Sequence, residues 1–239
     1  MKIPTIQGII DRRILVNFTV DPTIIQQIIP QPFRPKIYKE KAIVGICLIR
    51  LKQIRPKGLP GIFGISSENG AHRIAVEWND NGETKEGVFI PRRDTSSYLN
   101  TLAGGRIFPG KHFHAKFDVK EADGHYHIAF KSSDGTTISI DADKTKKLNS
   151  NSIFGNLENA STFFEGGAIG YSPNGDHYDG LKLNTFNWKV EPLDVTAVQS
   201  SFFENEKLFP GNSVQFDNAL LMTQIKHEWQ SVDQKSKCS

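Results

Sequence analysis

Four of the seven histidines come as two His-x-His pairs, His112/His114 and His125/His127. Residues two apart on a β-strand point to one face, an arrangement that can hold a metal ion. Asp123-Gly124 lies between the pairs and is typical of a tight hairpin turn. A hairpin there puts His114 opposite about residue 133, eight positions and roughly 25 Å from His125. The pairs therefore cannot share an ion, neither has an evident third ligand, and we expect no metal site.

Serine nucleophiles and nucleotide-binding loops have no support in the sequence. There is no Gly-x-Ser-x-Gly motif, and Ser96-Ser97 stands at a predicted helix start, where hydroxyl groups cap backbone amides. Gly104-Gly105-Arg106 lacks the spacing of either nucleotide fingerprint and is typical of the end of a helix. We expect no cofactor.

Arginines are better candidates, because an arginine beside a pocket can hold a carboxylate through two parallel hydrogen bonds. Arg73 lies in an alternating strand, Arg93 follows a strand end, and Arg106 follows the glycine pair. For Arg93 we favour an ion pair with a nearby carboxylate such as Asp94. For Arg106, ion pairing and ligand binding both stay open.

Composition excludes several classes of partner. The net charge is +3, and lysines and arginines are spread along the whole chain rather than gathered as in nucleic-acid-binding proteins. No apolar stretch approaches the roughly 20 residues that span a bilayer, so we expect no membrane partner. The start of the sequence lacks the regions of a signal peptide.

The two cysteines indicate a reducing compartment. Cys47 lies in an apolar run and Cys238 in a polar tail, so a bridge would have to join the core to the tail. We expect two free thiols, with Cys47 buried, and a cytoplasmic protein.

The remaining pattern predicts one domain over residues 1–239, mainly antiparallel β with a few short helices. Asp21-Pro22 and an isoleucine stripe predict a helix that ends at Pro30. A second helix is predicted over 95–103. Residues 218–229 fit either a helix or a strand. The other strands are predicted at 42–51, 73–78, 87–90, 113–121, 125–131, 136–141, 183–190 and 195–203. Of these, 73–78 and 87–90 are predicted as a hairpin, and 183–190 and 195–203 as a later pair.

Several segments resemble the acetoacetate decarboxylase superfamily. Val20-Asp21-Pro22, Ser67-Glu68-Asn69-Gly70 and the segment from Gly105-Arg106 to Ala115 are similar to its helix entry, acidic turn and catalytic strand. Closest is the uncharacterised bacterial YqjF-like branch. This resemblance is carried by the segments 87–89, 164–172, 188–192 and 219–222.

The resemblance implies a barrel-like sheet around an internal cavity, and also a homo-oligomer. Residues 105–115 would line the cavity, with Glu68 and Arg106 as polar contacts and Phe113 as an apolar wall. Phe113 stands where the family has its Schiff-base lysine, and His114 stands beside it. His114 and, from its strand position, Arg73 are further candidates for substrate binding. Lys111 would share Phe113's strand face and is a candidate nucleophile. Which face of this strand lines the cavity stays open.

Three functions follow as alternatives. The first is a small-molecule binder for a carboxylate or keto compound that has lost the imine chemistry. The second is an enzyme that acts on a small keto acid, with Glu68 as candidate general base or acid and Arg106 holding the carboxylate. The third is a structural protein whose sixteen phenylalanines fill its own cavity. The sequence favours the binder and leaves catalysis open.

Overall fold

Thirteen strands form one hydrogen-bonded sheet in the computed structural model, which describes residues 4–98 and 109–236. All neighbouring strands are antiparallel except that β6 pairs in parallel with β7 and with β10. This confirms a mainly antiparallel β fold. The strands are β1 (Ile6–Val20), β2 (Arg34–Pro35), β3 (Ile37–Tyr38), β4 (Lys41–Pro56), β5 (Ile65–Asp80), β6 (Glu83–Thr95), β7 (His112–Ala122), β8 (His125–Ser132), β9 (Thr137–Lys144), β10 (Ile169–Asn174), β11 (His177–Thr185), β12 (Glu191–Ser200) and β13 (Gln215–Ser236).

Strand pairing makes the sheet close on itself twice. In one direction the order runs β6-β7-β8-β9-β12-β13-β1-β4-β5 and returns to β6. We call this the larger ring. In the other direction β6-β10-β11-β13 leads back to β1, β4 and β5, because β11 also pairs with β13. We call this the smaller ring. The two rings share β13, β1, β4, β5 and β6 as a common wall.

The common wall separates two interiors, so its strands must be largely apolar on both faces. The sequence of β4 has this property. In β4 every residue from Ala42 to Leu48 is buried, as the apolar run predicted. Successive side chains point to opposite sides, so Ile46 and Leu48 belong to one core cluster and Cys47 to another. The first cluster includes residues of β8, β9 and β12, and the second includes Leu181 of β11.

Two α-helices lie among the described residues, α1 (Pro22–Ile28) and α2 (Leu157–Glu165). Helix α1 confirms the prediction, because the Asp21 carboxylate accepts the Thr23 N–H at 2.8 Å and Ile25 is fully buried. Helix α2 was not predicted from the sequence. It packs Ala160, Phe163 and Phe164 against the second core cluster. No helix in the described ranges is both long and apolar enough to cross a membrane.

The hairpin predictions are confirmed. Ala122 pairs with His125 across the Asp123-Gly124 turn, and the Ser133 amide bonds to the His114 carbonyl. The register therefore separates the two histidine pairs as expected. Residues 218–229 are a strand.

Two element predictions need correction. The segments 183–190 and 195–203 were predicted as a pair. Instead β11 pairs with β10 and β13, and β12 pairs with β9 and β13, because each completes a different ring. The predicted helix 95–103 cannot begin at Thr95, which ends β6 beside Asn69 of β5. Residues 99–103 lie outside the described ranges.

A cluster of aromatic side chains packs around Phe33 and yields a prediction about stability. Phe33 is fully buried, with ring centroids 5.4–5.8 Å from those of Trp78, Phe89, Tyr171 and Tyr178. Phe33→Ala should lower the free energy of unfolding by about 3–5 kcal/mol, because no neighbour can fill the cavity it leaves. Urea unfolding followed by tryptophan fluorescence measures this.

The matched control is Phe63→Ala, because Phe63 is 65 % exposed. That substitution should change stability by less than about 0.5 kcal/mol. Equal effects of the two substitutions would contradict the role of the cluster.

Candidate functional site

A cavity of about 100 Å³ lies inside the smaller ring. Most of its wall is apolar, with side chains from β1, β4, β6, β11 and β13. Its polar residues come from five strands, which bring together parts of the sequence about 100 residues apart. Among the described residues, the polar residues on its wall are Arg13, Cys47, Asn69, Arg73, Arg93, Asp94 and His112.

One cross-strand row positions the centre of this site. Cys47 of β4 pairs with Ala71 of β5, Ala71 pairs with Arg93 of β6, and Arg93 pairs with His112 of β7. Residues directly opposite in neighbouring strands share a face of the sheet. The four side chains therefore face the smaller ring together, spaced by the roughly 4.8 Å between strands.

Arg73 occupies the next row along β5 and needs a glycine beside it. It pairs with Gly45 of β4, where a Cβ would lie 3.4 Å from the Arg73 guanidinium and 2.3 Å from the Val16 carbonyl oxygen. Arg73 donates to the Asn17 side-chain oxygen, and Asn17 in turn donates to Asn218 at 2.7 Å. The Arg73 guanidinium is therefore held by a neutral amide and not by a carboxylate.

Arg13 and Cys47 meet on the common wall. The Arg13 Nη2 atom lies 3.6 Å from the Cys47 sulfur, and Cys47 is a free thiol with 3 % of its surface exposed. Burial acts to raise the pKa of the Cys47 thiol, but the positive charges of Arg13 and Arg73 outweigh it and leave the pKa below its ordinary value. Both arginines therefore favour the thiolate form of Cys47 relative to its neutral form.

Burial sets the protonation states of Arg93 and His112. It lowers the pKa of Arg93 to about 10, so this guanidinium still carries its charge at neutral pH. Burial, with the charge of Arg93 added, lowers the pKa of His112 to about 4. His112 is therefore neutral, and its Nδ1 atom lies 3.1 Å from the Gly110 carbonyl oxygen. This contact fixes a tautomer with Nδ1–H donating and Nε2 able to accept.

The three cavity arginines have no carboxylate partner among the described residues. Within residues 4–98 and 109–236 no carboxylate lies within ion-pairing distance of Arg13, Arg73 or Arg93, and the Nε atom of each is buried without a hydrogen-bond partner. Asp94 reaches the cavity wall, but its carboxylate is held by Arg92 at 2.7 Å and by Ser132. The cavity therefore carries net positive charge, an environment suited to an anion.

This arrangement corrects the prediction for Arg93. The sequence favoured an ion pair with a carboxylate such as Asp94. Alternation along β6 instead turns Arg92 to the side of Asp94 and turns Arg93 to the opposite side. The physical reason is that successive side chains in a strand point to opposite faces. Residues 92 and 94 therefore share one face, and residue 93 lies on the other.

Glu68 lies outside the cavity. Its carboxylate bridges Arg12 at 2.6 Å and Arg50 at 2.5 Å, and Glu121 reaches both arginines from β7. These four residues form an ion cluster in the larger ring. The sequence placed Glu68 and Arg106 together at a pocket. The structure does not bring Glu68 there, and Arg106 lies outside the described residues, so its role stays a prediction.

The strand phase of residues 111–117 is opposite to the one that would put Phe113 in the cavity. Phe113 faces the Arg92 guanidinium, whose carbon lies 4.0 Å from the ring centroid, and His112 takes the cavity side. His114 stacks on Tyr98 at 3.8 Å and does not line the cavity. Lys111 is exposed, precedes the strand and lies over the Phe113 ring. Of the described residues predicted as site residues, only Arg73 lines the cavity.

Sequence reasoning missed Arg13, Cys47 and His112 as site residues. One signal was available: Arg12-Arg13 and Arg92-Arg93 are pairs of arginines inside strands, so one member of each pair must face each interior. Within the described ranges no three histidine, cysteine or acidic side chains gather in a way that could hold a metal ion.

Comparison with known proteins identifies one matching family and several structures with a similar fold. The family model DUF2071, described as "Uncharacterized conserved protein (COG2071)", matches residues 10–222. No curated protein matches the chain.

Three solved structures share its architecture. Acetoacetate decarboxylase from Legionella pneumophila subsp. pneumophila str. Philadelphia 1 has a TM-score of 0.59 and 14 % identity, over 96 % of this chain and 87 % of that one. An acetoacetate decarboxylase-like enzyme from Sphingomonas wittichii RW1 has a TM-score of 0.57 and 10 % identity, over 99 % and 94 %. The enduracididine biosynthesis enzyme MppR complexed with pyruvate has a TM-score of 0.56 and 9 % identity, over 98 % and 90 %. The predicted resemblance is thus confirmed at the level of the fold.

The cavity arginines without carboxylate partners yield a prediction for the stability of the protein in the absence of ligand. Arg93→Met should raise the free energy of unfolding by about 1–3 kcal/mol, because a methionine keeps most of the volume and removes a buried charge without a counterion. The neighbouring Arg92→Met should instead lower it by about 3–5 kcal/mol, because it leaves the Asp94 carboxylate buried and unpaired. Chemical unfolding in a buffer free of small carboxylates separates the two. A loss of stability in both variants would show that Arg93 has an acidic partner.

Proposed function

The chain belongs to the DUF2071 family, and from this premise we propose that it binds a small carboxylate in the cavity of the smaller ring. The observation that carries the proposal is the set of three arginines, Arg13, Arg73 and Arg93, without acidic partners in the described residues. A carboxylate supplies the missing negative charge and can accept two parallel hydrogen bonds from a guanidinium.

The size and polarity of the cavity limit the carboxylates that it can bind. A cavity of about 150 Å³ holds benzene, so the roughly 100 Å³ here suits an acid of two to four carbons. The apolar side chains around the arginines, such as Ile49, Val88 and Leu181, favour a short hydrocarbon or keto chain over a second charged group. MppR, which shares the fold, has been solved with pyruvate. This supports a small keto acid as one member of the class.

Chemistry through an imine has no support at this site. Among the described residues lining the cavity there is no lysine, and Lys111 lies outside it. Phe113, which the resemblance aligns with the family's lysine, faces the larger ring and Arg92. We therefore propose binding without a Schiff base as the basic activity of the cavity.

Thermal unfolding with a panel of ligands tests the proposal. Acetate, propionate and pyruvate should each raise the melting temperature, by an amount that grows with the logarithm of ligand concentration. At about one hundred times the dissociation constant the gain in stability is about 2.7 kcal/mol. Acetamide and propionamide, which match acetate and propionate in size but carry no charge, should leave the melting temperature unchanged.

Two variants locate the site. Arg93→Met should abolish the stabilisation by acetate, whereas Glu68→Gln should keep it because Glu68 faces the larger ring. Loss of the acetate effect in Glu68→Gln with retention in Arg93→Met would reject this cavity in favour of the site predicted from the sequence. No stabilisation by any of the three acids would reject carboxylate binding.

A further inference from the structure

Cys47 is a buried thiol that borders the cavity. Its side chain is 3 % exposed, it forms no disulfide, and it shares a cross-strand row with Ala71 and Arg93. Its neighbour within reach is the Arg13 guanidinium, with Nη2 at 3.6 Å from the sulfur. The position combines a thiol, a cation and the space for a small molecule.

A second observation points independently to a ligand beside this thiol. Arg73 lines the same cavity with only 4 % of its surface exposed, and its buried Nε atom has no hydrogen-bond partner. Its Nη2 atom donates to the neutral Asn17 oxygen, and its guanidinium also contacts the Cys47 side chain. A guanidinium buried in this way is stabilised by a bound anion, so an anionic ligand would lie in the space that Cys47 borders.

We propose that Cys47 is a nucleophile that reacts, as a thiolate, with small carboxylates whose carbon next to the carboxylate is electrophilic. This rests on the proposed function, because the arginines must first hold the carboxylate near the sulfur. The bound geometry then brings the α-carbon within the cavity that Cys47 lines. Arg13 stabilises the thiolate before the reaction.

The step balances without an oxidant or reductant. With a 2-halocarboxylate, the thiolate electron pair forms the sulfur–carbon bond, the carbon–halogen bond breaks, and halide leaves with its electron pair. With a 2-oxo carboxylate, the same pair adds to the carbonyl carbon and the π pair moves to oxygen. That oxygen then takes a proton from solvent, and the adduct is a thiohemiketal that can reverse.

Competing alkylation of the native protein tests the proposal. Iodoacetate is a small carboxylate with an electrophilic α-carbon, and iodoacetamide is its neutral counterpart. Iodoacetate should alkylate Cys47 about tenfold or more faster than iodoacetamide does, because the cavity concentrates anions. Peptide mass mapping follows Cys47, and Cys238 serves as the reference thiol in the same chain. A Cys47 rate no faster with iodoacetate than with iodoacetamide, or no reaction with either, overturns the proposal.

Substitutions at Arg13 and Cys47, and the pH dependence of alkylation, distinguish a change in Cys47 reactivity from a change in folding. Arg13→Met should lower the rate of Cys47 with iodoacetate by about tenfold or more while circular dichroism stays that of the parent protein. The rate at Cys47 should also reach half its maximum at a lower pH than the rate at Cys238. Cys47→Ala and Cys47→Ser both remove the label at residue 47, and recovery of label elsewhere in either would assign the reaction to another residue.

Failure of this proposal and of the proposed function give different results. If acetate raises the melting temperature but Cys47 resists iodoacetate, the cavity binds carboxylates and the thiol is not a nucleophile. If Cys47 is alkylated, yet acetate neither stabilises the protein nor slows the alkylation, the carboxylate-binding function fails. Protection of Cys47 by acetate, together with preference for iodoacetate, supports both.

Discussion

Positive charge around one cavity, without a carboxylate partner in the described residues, is the constraint around which this structure is arranged. Arg13, Arg73 and Arg93 face one cavity, and their Nε atoms have no hydrogen-bond partners among the described residues. An unpaired buried charge costs several kcal/mol even after relaxation. A fold that keeps three guanidinium groups around one cavity without carboxylate partners gives up stability there, and such a loss is typical of a binding site. The neutral Asn17 amide that holds Arg73 preserves its position without cancelling its charge.

Strand alternation separates this site from the ion pairs that stabilise the fold. In β1, Arg12 joins Glu68 and Glu121 while Arg13 faces the cavity, and in β6 Arg92 joins Asp94 while Arg93 faces the cavity. In each pair, one arginine forms ion pairs and the next lines the cavity, because neighbouring side chains in a strand point to opposite faces. The common wall lets one pair of adjacent residues serve two interiors.

The sequence contained enough to predict the fold class, the α1 helix and the Asp123-Gly124 hairpin register, because these depend on local patterns. It did not contain the phase of β6 and β7 relative to the cavity. Phe113 was placed by alignment with the family's lysine, whereas the pairing of His112 with Arg93 turns His112 inward. Glu68 was assigned by resemblance to the family's acidic turn, and the structure places its carboxylate with Arg12 and Arg50, away from this cavity. Which ring a strand completes depends on pairings distant in sequence.

The cationic wall also explains why this cavity suits a thiol. Nearby positive charges favour the deprotonated form of any acid, so they would drive an amine towards its neutral form and a thiol towards its anion. A nucleophilic lysine uses the first effect to form an imine. Here the described residues that line the cavity include no lysine, and Cys47 meets Arg13 directly. The same positive charges have different consequences for a buried amine and for a buried thiol, and for Cys47 they favour the anion.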